Sequence, residues 1–381
     1  MKNLALVTLL TAFSTLMVSA QTVEIKTVED MISFSFETVD NLYITNTKTL
    51  TAISGFATLK EVKNDLIISD NEGITSLSGF DNLVSVKGQL SIKGNIHLTK
   101  IDGFRNLENI GEVLSISDLP ATEIKGFSKL TSLEHVYLTS TFLNNVNFLS
   151  SLKKVGYFIV ISKNQYLQNI DAFVGIKQAG LVEISDNKSL LNLNGLANCT
   201  KLHLFLLSNN DALLDVSGLA ALDSVETSLV LYENDKISSA NVLKNLLYIG
   251  ADFVLDSNSS LETCSDLEAL LSSGNIKGDI IMKDNLPACN KATFMTSDSF
   301  YSSPKISVYP NPSSSTTVFN LMDLNHNYDV RIYNPKGALV RDYIHVNGPI
   351  IINWNGSPSG LYFYQISSDN KFIQNGKIVL E

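Results

Sequence analysis

Cysteine is scarce in this chain, with only Cys199, Cys264 and Cys289 among 381 residues. Histidine is hardly commoner: His97, His135, His203, His326 and His345 show no ligand spacing with those cysteines. No metal or cofactor site is therefore expected. A basic stripe is also missing. Residues 22–300 carry a net charge of −12, which argues against nucleic acid and against anionic membrane surfaces as partners. After residue 20 no stretch is long and apolar enough to span a bilayer, so the mature chain is expected to have no transmembrane segment. Nucleophile elbows, HExxH, phosphate-binding glycine loops and a distinct pair of carboxylates are all lacking, so the chain is not expected to be an enzyme.

What is present is a period. A short apolar pair recurs with its first position at Leu42, Leu66, Leu90, Leu114, Val136, Ile159, Val182, Phe205, Leu229, Phe253 and Ile280, at intervals of 22 to 27 residues. Such a period predicts a solenoid of about eleven coils over residues 42–289. At strand spacing of about 4.8 Å the stacked strands make a sheet roughly 50 Å long. The fullest copies, Leu66 to Val86 and Leu90 to Ile110, share two apolar residues at spacing two, an Asn, and a Gly-Phe pair. Spacing two sends both apolar residues into the core. Gly-Phe gives a bend followed by a core plug. The Asn column (Asn71, Asn95, Asn164, Asn187, Asn210, Asn234, Asn258, Asn285) reads as a partner for buried turn backbone rather than as a ligand ladder. Repeats four to six depart from the pattern, with Leu119-Pro120 and then Thr141 where Asn is expected.

Between the core positions two columns must point outward. One runs through Tyr137, Val160, Glu183, Leu206, Val230 and Val254; the next runs through Thr139, Ser162, Ser185, Ser208 and Tyr232. Strand propensity alone favours such residues. As a binding face, the candidate anchors are Tyr137, Val160, Leu206, Val230, Tyr232 and Val254.

The ends are different. Residues 1–20 read as a secretory signal, with Lys2, an apolar run and small residues before Gln21. Stacking brings positions one period apart into neighbouring places, so Cys264 and Cys289 are expected to form a disulfide at the end of the solenoid. Cys199 falls on a core position and reads as a small buried hydrophobe. Residues 290–304 are Ser-rich and read as a linker. Residues 305–381 alternate as strands separated by turns, which predicts a small antiparallel sandwich.

Two resemblances follow from these motifs. The repeat wording resembles leucine-rich repeats of the receptor L-domain type, and residues 21–41 are similar to the strand-plus-short-helix cap that opens such domains. That resemblance implies a mainly β, right-handed solenoid that recognises proteins or glycans. In the tail, Tyr309-Pro310-Asn311-Pro312, then Gly337, Gly360, Tyr362 and Lys377 resemble the C-terminal sorting domain of type IX secretion in Bacteroidota. It implies transit through the periplasm, recognition of residues 305–381 by the type IX machinery, and delivery to the outer-membrane cell surface or the medium. Together they predict a secreted or surface-anchored protein that binds a protein or glycan. The alternatives are a structural surface component without a discrete ligand and a glycan-active β-solenoid enzyme.

Overall fold

The computed structural model describes residues 21–294 and, within 306–380, all but 310–312, 314–315, 322–326, 335, 347–349, 355–356 and 369–370. The proposed signal at 1–20 lies outside the described residues. The chain divides into two compact units, 1–295 and 296–381.

The first unit is built on one long sheet. Its strands are β1 (Thr22–Glu24), β2 (Asn41–Thr45), β3 (Leu66–Ser69), β4 (Leu90–Lys93), β5 (Val113–Leu119), β6 (Ser132–Thr141), β7 (Lys154–Ser162), β8 (Gln178–Ser185), β9 (Lys201–Ser208), β10 (Leu229–Tyr232), β11 (Phe253–Asp256), β12 (Ile280–Lys283) and β13 (Lys291–Phe294). They pair in that order, parallel from β1 to β12. The eleven apolar positions that define the period are register partners from Leu42 to Ile280. This is the mainly β, solenoid-like architecture that the period predicts.

Each strand ends on one residue in the left-handed region, from Asn46 (φ 55°) and Asp70 (φ 56°) to Asp284 (φ 54°). The next residue is usually the recurring Asn. Its role is to join coils. Asn71 Nδ2 donates to the Ile44 carbonyl at 2.8 Å, and Asn95 Oδ1 accepts from the Asn71 backbone N–H at 3.1 Å. The same pattern links Asn164, Asn187, Asn210, Asn234, Asn258 and Asn285. Thr141 enters this ladder by donating its N–H and hydroxyl to Asn164 Oδ1, at 3.0 and 2.7 Å. Leu119, following a left-handed Asp118, occupies the Asn place in the fourth coil and divides the ladder into two runs.

The rest of each coil changes along the unit. In the first coils, two-residue strands make two four-stranded side sheets (52–53 through 123–124, and 38–39 through 109–110). From the fifth coil, single 3₁₀ turns such as Asn147–Leu149 and Asp171–Gly175 take over one side. The glycines explain part of this. Gly79 has φ +87°, and a Cβ there would meet the Gly55 nitrogen at 2.8 Å, so the early corner needs glycine. Gly218 sits inside a 3₁₀ turn instead. Phenylalanines fill the early corners as a stack: Phe56 on Phe80 at 4.7 Å, Phe80 on Phe104 at 5.0 Å and Phe104 on Phe127 at 5.0 Å.

Distinct elements mark the two ends of the sheet. At the start, β1 and the short helix α1 (Val28–Ile32), held by a Thr27–Asp30 capping box, precede the first coil. At the finish, the Cys264–Cys289 disulfide is formed. Cys199 is free and buried in the core, where burial pushes its thiol up to about 11. The stretch read as a linker from residue 290 does not begin as one. Strand β13 runs antiparallel to β12, because the exposed backbone edge of the last coil offers it a ladder of donors and acceptors.

The second unit consists of two antiparallel sheets. Strands β14 (Ile306–Tyr309), β15 (Thr316–Leu321) and β18 (Ile350–Asn353) form one, in the order β14-β15-β18. Strands β16 (Tyr328–Tyr333), β17 (Leu339–Val346), β19 (Gly360–Ser368) and β20 (Lys371–Leu380) form the other, in the order β17-β16-β19-β20. They enclose a core of their own that includes Phe319, Tyr328, Trp354, Tyr364 and Ile378.

Candidate functional site

The two outward columns predicted from the sequence exist as rows across the long sheet. Register places Ser115, Tyr137, Val160, Glu183, Leu206, Val230, Val254 and Ile281 side by side, with Ser117, Thr139, Ser162, Ser185, Ser208, Tyr232, Asp256 and Lys283 in the next row. None of Tyr137, Val160, Val230 or Val254 belongs to the solenoid core, which confirms that they face away from it.

Their exposure differs from the expectation of an open face. Tyr137 is 6% exposed, Val160 2%, Val230 9% and Val254 0%, while Leu206 and Tyr232 keep partial exposure. For Tyr137 and Val160 one physical reason lies in the longer strands β5 to β9. They add a third outward row, Val113, His135, Phe158, Leu181 and Leu204, whose bulk packs beside these two anchors. A four-residue repeat motif could not signal this row. His135 stacks on Phe158 at 5.0 Å, on Tyr157 at 5.4 Å and on Tyr137 at 6.4 Å.

This face holds polar groups that the sequence did not single out. Glu183 is buried and accepts a hydrogen bond from Ser185 Oγ at 3.0 Å. Burial pushes its carboxyl up to about 7. Burial also brings His135 down to about 4 and raises the Tyr137 hydroxyl. His135 Nδ1, the Tyr137 hydroxyl and Ser162 Oγ are buried without a hydrogen-bond partner among the described residues. In mildly acidic solution the group is thus uncharged: a neutral imidazole, a protonated carboxyl and hydroxyls. The signal that would have found it is an acid alone in an otherwise apolar column.

The carboxyl has a measurable consequence. Its folded pKa lies above its ordinary value, so the folded chain holds the proton more tightly than the unfolded chain. The associated stability is fully present below the ordinary value of 4.5 and is lost as pH rises through about 7. Glu183→Gln is expected to flatten that fall in denaturation curves taken between mildly acidic and mildly alkaline pH. An unchanged slope would place the carboxyl in water.

The two buried acids of this face do not form a close pair. The other buried acid on it, Asp256, stands three strands from Glu183, or about 14 Å at strand spacing, beyond the ~6.5–9.5 Å of paired glycosidase carboxylates. Asp256 is instead held by Lys283 Nζ at 3.5 Å.

In the second unit, the motif residues shape turns and one sheet. Tyr309 ends β14, whereas Pro310, Asn311 and Pro312 lie outside the described residues. Gly337 (φ +79°) closes the β16–β17 turn, where Asn334 Oδ1 accepts from the Lys336 and Ala338 N–H groups, both at 3.0 Å. Gly360 (φ +140°) opens β19. The Tyr362 hydroxyl donates to the Pro358 carbonyl at 2.8 Å, and its ring lies on Trp354 at 4.8 Å. Lys377 stands opposite Phe363 and borders a shallow cavity of 690 Å³ with Tyr333 and Gln365.

No curated protein matches the chain in sequence. No helix among the described residues is long and apolar enough to cross a membrane. Residues 307–381 match the family described as the secretion system C-terminal sorting domain, and this tail makes the chain a cargo of type IX secretion, exported to the cell surface or beyond it.

Proposed function

We propose that the exported chain is a binding or adhesion protein whose solenoid recognises a protein or glycan, and that it binds rather than catalyses. The repeat is read as leucine-rich, of the receptor L-domain type, on its period, its Asn ladder and its Gly-Phe plugs. One observation carries the binding reading. From β6 onward the face opposite the core turns apolar, although the core does not use those side chains. The part of an apolar sheet face that stays open to solvent is the usual mark of an interaction surface. Leu206 and Tyr232, the two anchors with partial exposure, are where contact begins.

The test uses the purified exported chain on an array of glycans and surface proteins. The triple variant Leu206→Ser, Val230→Ser, Tyr232→Ser is expected to lose at least about tenfold in attachment to whichever probe the parent retains, since loss of one or two such anchors costs above ~1.4 kcal/mol. Attachment unchanged by the triple substitution would sink the reading.

A further inference from the structure

The irregular fifth coil builds a surface that the strand face does not include. Its turn, Thr141-Phe142-Leu143, is one residue shorter than the following Asn164-Gln165-Tyr166-Leu167, although Leu143 and Leu167 fill equivalent core places. Thr141 keeps the ladder bond to Asn164, so the shortened turn stays in register. The missing residue brings Phe142 beside Tyr166, where the two rings meet edge to face at 5.3 Å. Neither ring is part of the core: Phe142 is 45% exposed and Tyr166 52%.

The column two residues further along is tied across four coils. The Gln168 N–H donates to the Asn144 carbonyl at 2.9 Å, the Leu191 N–H to Gln168 at 3.0 Å, and the Leu214 N–H to Leu191 at 3.3 Å. Asn144 and Gln168 therefore present carboxamides beside the rings, and Leu191 (50% exposed) and Leu214 (64%) extend the apolar surface. Charge is sparse beside the rings. Segments 141–149, 164–170 and 189–194 contain no charged residue, and in the coils that follow Lys188 is paired with Asp211 at 3.1 Å while Asp215 flanks Leu214.

We propose that this turn edge is a binding platform for an uncharged saccharide. The rings offer flat apolar faces to the C–H side of a sugar ring, and the carboxamides offer both donors and acceptors to its hydroxyls. A phosphorylated, sulfated or uronic sugar would lose solvation of its charge against rings and carboxamides that carry no counter-charge. Size points the same way. Four half-exposed large side chains make roughly 350 Å² of apolar surface, within the few hundred Å² of a functional patch. A stable protein partner needs about 800 Å² on each side. The platform lies on the turn edge, apart from the sheet face, and stands whether or not that face binds anything.

The experiment is electrophoresis and calorimetry of the full exported chain with a soluble β-glucan, a mannan, a xylan and a galactan. Polygalacturonate serves as the charged control. Retention by at least one neutral polymer is expected. The double variant Phe142→Ala, Tyr166→Ala is expected to lose at least about tenfold in affinity, and Gln168→Ala a few-fold, as for loss of stacking and of one hydrogen bond. Because all three side chains are exposed, their denaturation midpoints are expected to match the parent. Retention by no neutral polymer, retention by polygalacturonate alone, or full affinity in the double variant would each overturn the proposal. A neutral polymer released by the strand-face triple variant but held by the double variant would overturn it while leaving the strand-face reading intact.

Discussion

Asn210→Ala is expected to destabilise the solenoid by about 4 kcal/mol in chemical denaturation. The magnitude follows from what the side chain leaves behind. Its Nδ2 donates to the Ile184 carbonyl at 3.0 Å and to Asn234 Oδ1 at 3.1 Å, while its Oδ1 accepts from the Asn187 backbone N–H at 3.2 Å. Alanine leaves two groups of the preceding coil, the Ile184 carbonyl and the Asn187 N–H, buried with no partner from this side chain. Each such orphan costs about 1–3 kcal/mol, well above the net value of a hydrogen bond that water can replace. Asn210 is also a middle member of a ladder, so its neighbours lose alignment with it. Asn64→Ala, at an exposed position, is the control and is expected to change stability by less than ~0.5 kcal/mol. A loss at Asn210 below about 1 kcal/mol would mean that the recurring Asn only shapes its own turn.

Deleting residues 305–381 is expected to leave the protein inside the outer membrane, with surface display reduced to background. The tail has its own core, built from Phe319, Trp354, Tyr364 and their neighbours, and none of these residues belongs to the core of the first unit. Removal therefore takes away the sorting domain without opening the solenoid. Two measurements on the same cells separate export from folding. Protease added outside is expected to reach the full chain and spare the truncated one. Extracted truncated protein is expected to keep the Cys264–Cys289 bond and resist limited proteolysis. Display of the truncated chain at the parent level would remove the sorting role from the tail.

The parts of this molecule that repeat were legible, because every coil states them again. Leu42 through Ile280 meet in register as their spacing implies, and Cys264 reaches Cys289. What could not be read depends on single coils. The left-handed residue at the end of each coil's strand is Asn or Asp at 46, 70, 118, 186, 209 and 284, but Ser140, Lys163, Glu233 and Ser257 hide the column. Strands β5 to β9 outgrow the repeat motif, so the third outward row and the withdrawal of Tyr137 and Val160 from solvent were not visible in a pattern of four residues. The period alone puts Glu183 between Val160 and Leu206 in an outward column, but its burial and its bond to Ser185 appear only in three dimensions. Thr141 was recognised as a departure, yet the consequence of one missing turn residue, the meeting of Phe142 and Tyr166, appears only in three dimensions. The tail is legible as turns and strands, although the apolar alternation singles out β14, β16, β18 and β19 and not β15, β17 and β20.

The antiparallel β13 bears on how this protein leaves the cell. Eleven coils in parallel register make a stack whose last edge repeats its first, so a second molecule could add head to tail and a third after it. Such a contact does not close on itself and grows into a filament. By turning back along β12, Lys291–Phe294 ends the stack on a strand of opposite direction, out of register with any incoming first coil. The reversal denies a second copy the parallel register on which such a thread would grow.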